Sequence, residues 1–210
     1  EAGTVRGRSL DPDEDPFPSV SFLTESDSAF LQDVGSILSW PEDPKGFTLY
    51  SRWIPEKPDH GKLYFNLSYQ ATESLRIGVD YRPLTDDVSL LANWRVFSED
   101  DGWRPALILG TSNDDFGDIN SQSYYGTLSK HLFEVGGVNV SGYGGATFIE
   151  KLGEVCAVGG VHLRKGAWSS MLMYSGVDEH VSITRIFGNH SLTFLMFDLK
   201  LPGLAYGFNY

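Results

Sequence analysis

The sequence predicts an all-β protein: a single closed, antiparallel, up-and-down transmembrane β-barrel of about twelve strands, with an acidic N-terminal arm and one short helix. Two patterns carry this prediction. From residue 46 onward, apolar residues alternate with polar or small ones, and a turn signal recurs about every 12 residues. The chain also ends on an alternating aromatic strand. We therefore divide it into an arm, residues 1–45, and a barrel, residues 46–210.

Composition narrows the classes of protein. Sixteen basic and twenty-eight acidic residues among 210 give a net charge of −12, which argues against a nucleic-acid partner. The single cysteine excludes an internal disulfide and a cysteine-based zinc cage. No apolar run approaches the roughly 20 residues of a membrane-spanning helix, whereas alternating transmembrane strands keep the mean hydropathy low. A value of −0.20 therefore suits a soluble domain or a membrane barrel.

The arm differs from the rest of the chain because it concentrates acid and proline. Residues 1–45 hold ten acids, three bases and five of the ten prolines. Segment 11–16 alternates proline with acids, which disfavours both helix and ladder strand, so we expect an extended or disordered arm over 1–26. A short helix is expected over 28–39, acting as a plug or interfacial helix, or simply covering one barrel end. Its apolar face would carry Phe30, Leu31, Val34, Ile37 and Leu38.

Strand length favours a membrane barrel over a soluble sandwich. Transmembrane strands need about 9–11 residues at their usual tilt, whereas soluble strands average about 5–6. The predicted strands are about 8–12 residues long. They cover residues 47–54, 62–70, 74–82, 87–98, 103–112, 121–133, 137–148, 154–164, 167–175, 179–187, 190–199 and 204–210.

One face of these strands is polar and supplies the candidate lumen-lining residues. They are interpreted either as a charged lumen that selects anionic solutes or sugar acids, or as a ladder of ion pairs that fills a narrow barrel. In the second case Arg82 and Arg95 would pair with Asp80 across strands. The candidates are Arg76, Asp80, Arg82, Asn93, Arg95, Arg104, His162 and Arg164.

The other face is apolar and tends to end in aromatic residues. Aromatic girdles lie at both water interfaces of a membrane barrel, so these residues predict contact with outer-membrane lipid. The candidate interface aromatics are Tyr69, Tyr81, Trp94, Trp103, Trp168 and Tyr174.

The last strand carries a recognisable ending. Leu204, Tyr206, Phe208 and Tyr210 share one face up to the final residue. This resembles the C-terminal signature of bacterial outer-membrane proteins, which the barrel-insertion machinery reads. The resemblance implies location in the bacterial outer membrane, with the insertion machinery as a partner.

A second resemblance covers roughly residues 61–148. Residues 104–111 (RPALILGT) lead into 113–118 (NDDFGD), and residues 123–130 (SYYGTLSK) follow. This hairpin resembles the YjbH-like outer-membrane barrels associated with exopolysaccharide secretion. The resemblance implies a barrel and a link to polysaccharide export, without a catalytic signature. The chain is far shorter than typical members, and the acidic arm has no counterpart in them.

No residue set predicts catalysis, and no cofactor is expected. Cys156 and His162 share a face of one strand but stand six residues apart, about 20 Å at strand rise, which excludes a dyad. Asn113, Asp114, Asp115 and Asp118 form an oxygen-rich loop that is a weak candidate for binding Ca²⁺. Because the loop lacks the EF-hand spacing, we favour a solvated extracellular loop over a calcium site.

We therefore expect a non-enzymatic outer-membrane barrel, serving as a small channel or as the barrel component of an envelope or polysaccharide-export assembly. Another envelope protein would bind through the arm or helix 28–39. The alternatives are a soluble all-β carbohydrate-binding domain, or an outer-membrane hydrolase, which would need a clustered polar triad near one rim.

Overall fold

The barrel is closed and has twelve antiparallel strands, as the sequence predicts. The structure is a computed structural model that describes residues 46–100, 102–113, 115–116 and 119–210. The expected helix over 28–39 lies outside these residues. The barrel strands are β1 (Phe47–Trp53), β2 (Leu63–Thr72), β3 (Leu75–Arg82), β4 (Asp87–Phe97), β5 (Ala106–Ser112), β8 (Ser123–Val135), β9 (Val138–Ile149), β10 (Glu154–Lys165), β11 (Trp168–Tyr174), β12 (Glu179–Phe187), β13 (His190–Phe197) and β14 (Leu201–Asn209).

Each strand pairs with its sequence neighbours, and β14 pairs with β1 to close the ring. Two shorter strands, β6 (Asp115–Phe116) and β7 (Ile119–Asn120), form a separate hairpin between β5 and β8. A four-residue helix, α1 (Asp59–Lys62), lies between β1 and β2. Among the described residues, no helix is long and apolar enough to cross a membrane.

The two ends of the barrel have different connections. We call the end where β1 begins and β14 ends the near end, and the opposite end the far end. Four of the five near-end connections are two residues long, and the fifth spans 98–105. The 136–137 turn has positive φ at Gly136 and Gly137, which only glycine adopts without strain. Far-end connections are longer, and comprise residues 54–62, 83–86, 113–122, 150–153, 175–178 and 198–200.

The polarity of the wall is inverted relative to a soluble domain. Along β12 and β13, buried residues alternate with exposed ones, and the buried set includes Ser182, Thr184, Ser191 and Thr193. Large apolar side chains on the same strands, such as Ile183, point outward and are exposed. Because a soluble protein buries its apolar face, this arrangement is typical of a barrel whose outer surface meets lipid.

Aromatic side chains lie toward both ends of the outer face. Tyr81 and Tyr174 lie at the far end, where β3 and β11 terminate. Tyr69, Trp94 and Trp168 lie toward the near end, and Trp103 lies in the near-end loop. Phe47, Trp53, Phe65, Phe97, Tyr124, Phe148 and Phe187 are further exposed aromatics near strand ends.

The interior contains two apolar clusters as well as polar groups. One cluster joins strands β5 and β8–β12 and centres on Ile108, Tyr125 and Met171. The other joins β1, β2, β13 and β14 and contains Tyr50, Tyr64, Ile54, Leu195, Phe197 and Ala205. Gly160 has no room for a Cβ, because an added Cβ would lie 2.5 Å from the Leu172 carbonyl oxygen and 2.7 Å from the Tyr143 ring. Aromatic coverage of strand glycines is a known way to stabilise a curved sheet.

Most strand bounds differ from the sequence prediction by one or two residues, and the starts of β5 and β14 differ by three. β5 begins at Ala106 rather than residue 103, because Trp103, Arg104 and Pro105 belong to the near-end loop. β14 begins at Leu201 rather than 204 and ends one residue before the terminus. β8 contains a register shift between His131 and Phe133, so residues beyond it lose the simple inward and outward alternation.

Candidate functional site in the barrel interior

The most connected group inside the barrel surrounds Tyr64. The Tyr64 hydroxyl donates to Asp80 Oδ1 at 2.6 Å, and the Asn66 amide donates to the same oxygen at 2.7 Å. The guanidinium carbons of Arg52 and Arg82 lie 5.0 and 5.4 Å from the centre of the Tyr64 ring. Two cations thus contact one aromatic ring whose hydroxyl is tied to a carboxylate, an arrangement that fixes all five side chains.

Strand register explains why these residues meet. Tyr64 pairs with Arg52 across β1 and β2, and Asn66 pairs with Asp80 across β2 and β3. These four side chains all point into the barrel, because successive side chains of a strand point to opposite faces. Tyr64, Asp80 and Arg82 are fully excluded from solvent.

Arg82 connects this cluster to the far-end loops. Its guanidinium lies 3.3 Å from Asp87 Oδ2, and it also donates to the backbone carbonyl of Asn113. The expected pairing of Arg82 with Asp80 is therefore replaced by a pair with Asp87, the residue directly opposite on β4. This contact ties the β3–β4 connection to the loop that follows β5.

A second polar group lies toward the near end. Arg76 Nε donates to Gln70 Oε1 at 3.2 Å, across the β2–β3 pair. Separately, the Tyr125 hydroxyl donates to Asn93 Oδ1 over the inner face of β5, at the level of Gly110. Arg76 and Asn93 are both buried, so they lie inside the barrel, as their positions in the alternating strands predict.

His162 and Arg164 lie on β10, four strands away from β4 around the ring. Both are buried, and both occupy inward positions. The His162 Nε2 atom has no hydrogen-bond partner within the described part of the chain. Cys156 is on the same strand and half-buried, and its separation from His162 along the strand excludes a catalytic pair.

Two of the expected lumen residues lie elsewhere. Arg104 is exposed in the near-end loop, 3.6 Å from Asp100, because β5 starts only after it. Arg95 lies at the near rim, where its guanidinium donates to the Glu73 carbonyl at 2.6 Å. The Glu73 turn thus binds Arg95, whereas Asp80 lies opposite Ser89, six residues away from Arg95 along β4.

Sequence reasoning missed two buried cations. Arg52 lies on an inward position of β1, and the alternation of that strand carries the signal for it. Lys57 is buried in the far-end loop, with its ammonium 3.5 Å from the centre of the Phe197 ring, and no periodic pattern marks a loop residue. Among the described residues, one acidic side chain, Asp80, is therefore buried together with five basic ones. The basic residues are Arg52, Lys57, Arg76, Arg82 and Arg164.

The C-terminal strand shows the expected alternation. Leu204 and Tyr206 point outward and are exposed, whereas Gly203, Ala205 and Gly207 are buried. Phe208 is half-buried and Tyr210 is exposed.

The oxygen-rich loop is only partly described. Asn113 is buried and uses its carbonyl to bind Arg82. Asp114 and Asp118 lie outside the described residues, and Asp115 lies in β6. In the part of the chain that the structure covers, no cluster of three or more histidine, cysteine or acidic side chains has metal-binding geometry.

At the far end, the 198–200 turn carries an exposed ion pair. Lys200 Nζ lies 2.7 Å from Asp198 Oδ2. The hydrogen bond to Asp198, and then its negative charge, raise the pKa of Lys200 above the ordinary value for lysine. Lys200 is therefore cationic at neutral pH, outside the barrel wall.

Comparison with known proteins adds no relative to this description. No protein-family model matches the chain, and no curated protein matches it.

Proposed function

We propose that this protein is an integral barrel of the bacterial outer membrane, with no enzymatic activity. The observation that carries the proposal is the inverted polarity of a closed barrel, with apolar side chains outward and polar ones inward. Each outward leucine, isoleucine or phenylalanine gains roughly 1.5–3 kcal/mol when it leaves water completely. A lipid bilayer would remove these outward side chains from water around the entire wall.

Loop lengths support one orientation in that membrane. Bacterial outer-membrane barrels have short periplasmic turns and longer extracellular loops. Since the near end carries four two-residue turns, it would face the periplasm and the far end would face the exterior. The arm, residues 1–45, would then precede β1 on the periplasmic side, where it would be available to another envelope protein.

Burial of the interior favours an assembly role over free diffusion of solutes. The side chains of the Tyr64 cluster are excluded from solvent, so the interior at that level is closed. We infer that the barrel is a component of an envelope assembly, and the resemblance to YjbH-like barrels suggests polysaccharide export as the process.

A small anion-selective channel is the second candidate. The buried cations outnumber the buried acid among the described residues, and a ring of basic side chains favours anions in a pore. A soluble carbohydrate-binding sandwich receives less support, because the strands form one closed ring with a polar interior instead of two sheets around an apolar core.

Two measurements on the full-length protein test these proposals. Gel mobility of the detergent-extracted protein, boiled and unboiled, should differ, because a folded membrane barrel resists the gel detergent until it is heated. Planar bilayers should then show no steady conductance. A monodisperse protein in plain buffer without a mobility shift would contradict the membrane location. A shift combined with stable anion-selective conductance would replace the assembly role by the channel.

A further inference from the structure

The barrel wall is incomplete between β4 and β5. Their pairing runs from Phe97 opposite Leu107 to Asn93 opposite Gly110 and stops there. The next pair would be Ala92 with Thr111. Instead of a backbone partner, the Ala92 amide donates to the Thr111 hydroxyl at 3.1 Å, so a side chain ends the ladder.

Beyond this point, in the described part of the chain, no backbone ladder joins β4 to β5. Thr111 and Ser112 continue to pair with β8, while β4 continues to pair with β3 as far as Asp87. Within the described residues, no strand pairs with the β5-facing edge of residues 88–91. We call this stretch the split.

An outward groove of about 730 Å³ crosses the split. One side consists of residues of β1–β4, most of them outward, together with the inward positions Ser68, Gly78 and Leu91. The other side consists of Thr111, Gln122 and Tyr124. Ala92 lies between the two sides and is the smallest outward side chain of β4 along the groove. The apolar members are Phe47, Leu67, Tyr69, Ile77, Val79 and Leu90.

The surroundings of the groove indicate what occupies it. Its apolar lining continues directly into the exposed apolar surface of β2 and β3, which would contact lipid. It extends from Phe47 and Tyr69 near one aromatic girdle to Tyr124 near the other. Gln122 lies at the far end of the groove, and within the described part of the chain its side-chain amide makes one long hydrogen bond, 3.5 Å to the Ser123 carbonyl. A long acyl chain attached to a polar group has this shape and polarity.

We propose that the groove binds one acyl chain of a membrane phospholipid, with the ester region of that lipid beside Gln122. This inference rests on the membrane location proposed above. The acyl chain packs against the apolar side chains that line the groove, such as Leu67, Val79 and Leu90.

The test compares three full-length proteins refolded into dioleoylphosphatidylcholine vesicles, then extracted into detergent and weighed by native mass spectrometry. Ala92→Trp fills the groove, whereas Ala157→Trp places the same side chain on an exposed outward position of β10. The parent chain and Ala157→Trp should retain one phospholipid. Ala92→Trp should retain it about tenfold less, which corresponds to about 1.4 kcal/mol.

Each outcome has a distinct meaning. If all three proteins insert, shown by their gel shift, and retain the same amount of lipid, the groove is not a lipid site while the membrane barrel stands. If the parent chain fails to insert, both proposals fall. If Ala92→Trp does not fold, Gln122→Leu provides the second comparison, and unchanged retention there together with unchanged retention in Ala92→Val would overturn the proposal.

Discussion

The two seams of this barrel differ in a way that chain connectivity does not predict. β1 and β14 are the most distant strands in sequence, yet they pair without interruption from Thr48 opposite Asn209 to Trp53 opposite Leu204. β4 and β5 are consecutive, yet they share only four pairs with an irregularity before Phe97. The seam that closes the barrel is therefore the more regular of the two.

This difference shows that strand pairing depends on proximity along the chain and equally on whether nearby side chains bind the backbone amides. At the closure seam, both strands alternate strictly, and their ladder ends with backbone bonds in both directions between Phe47 and Tyr210. At the β4–β5 seam, the near-end loop folds on itself, because Asp100 accepts from the amides of Gly102 and Arg104. Thr111 then takes the donor that the ladder would use.

The largest expected effect comes from breaking the closure seam. Ala205→Pro removes a backbone donor from a strand paired on both sides, opposite Arg52 and Thr193. In lipid an unsatisfied backbone group costs on the order of several kcal/mol, so the urea midpoint of refolded protein should fall sharply or the gel shift should disappear.

Ala92→Pro is the matched control for this change. The Ala92 amide donates only to the Thr111 hydroxyl on the β5 side, so we expect a loss of about 1 kcal/mol. Equal destabilisation by the two prolines would show that the seams are energetically alike.

An intermediate effect is expected at the Tyr64 cluster, which braces β1–β3 beside the closure seam. Asp80→Ala leaves the Tyr64 hydroxyl and the Asn66 amide without their shared acceptor, which should cost about 3 kcal/mol since each bond to a charged group contributes roughly 1.5–3. Urea titration measures the change. Asp59→Ala, at the exposed pair with Lys62, should cost no more than about 1 kcal/mol, and the reverse order would contradict this account.

The smallest effect is expected at the split itself. Thr111→Val preserves shape and removes the hydroxyl that binds the Ala92 amide, at a cost of about 1 kcal/mol. Hydrogen exchange of the Ala92 amide should accelerate, while exchange along β14 stays unchanged. Unaltered exchange at Ala92 would mean that the hydroxyl does not end the ladder.

The sequence was sufficient for the fold and for much of the interior. The alternation Arg76, Gly78, Asp80, Arg82 against Leu75, Ile77, Val79, Tyr81 places each of these residues on the side where the structure has it. The alternation pattern carries no information about residues outside strands. It therefore does not identify Lys57 as buried, and it wrongly places Arg104 inside the barrel. The early end of the β4–β5 ladder was also beyond sequence reasoning, because alternation does not show that the Thr111 hydroxyl accepts from the Ala92 amide there.

The measurement that tests the central claim most directly is quenching of tryptophan fluorescence by lipid. Trp53, Trp94 and Trp168 point outward and are about half exposed, so a protein with Trp40 and Trp103 replaced by phenylalanine reports on the outer wall alone. In vesicles of dibrominated phosphatidylcholine its emission should fall strongly relative to vesicles of the unbrominated lipid. Equal emission in the two vesicles, from protein that stays monodisperse without detergent, would contradict the membrane barrel.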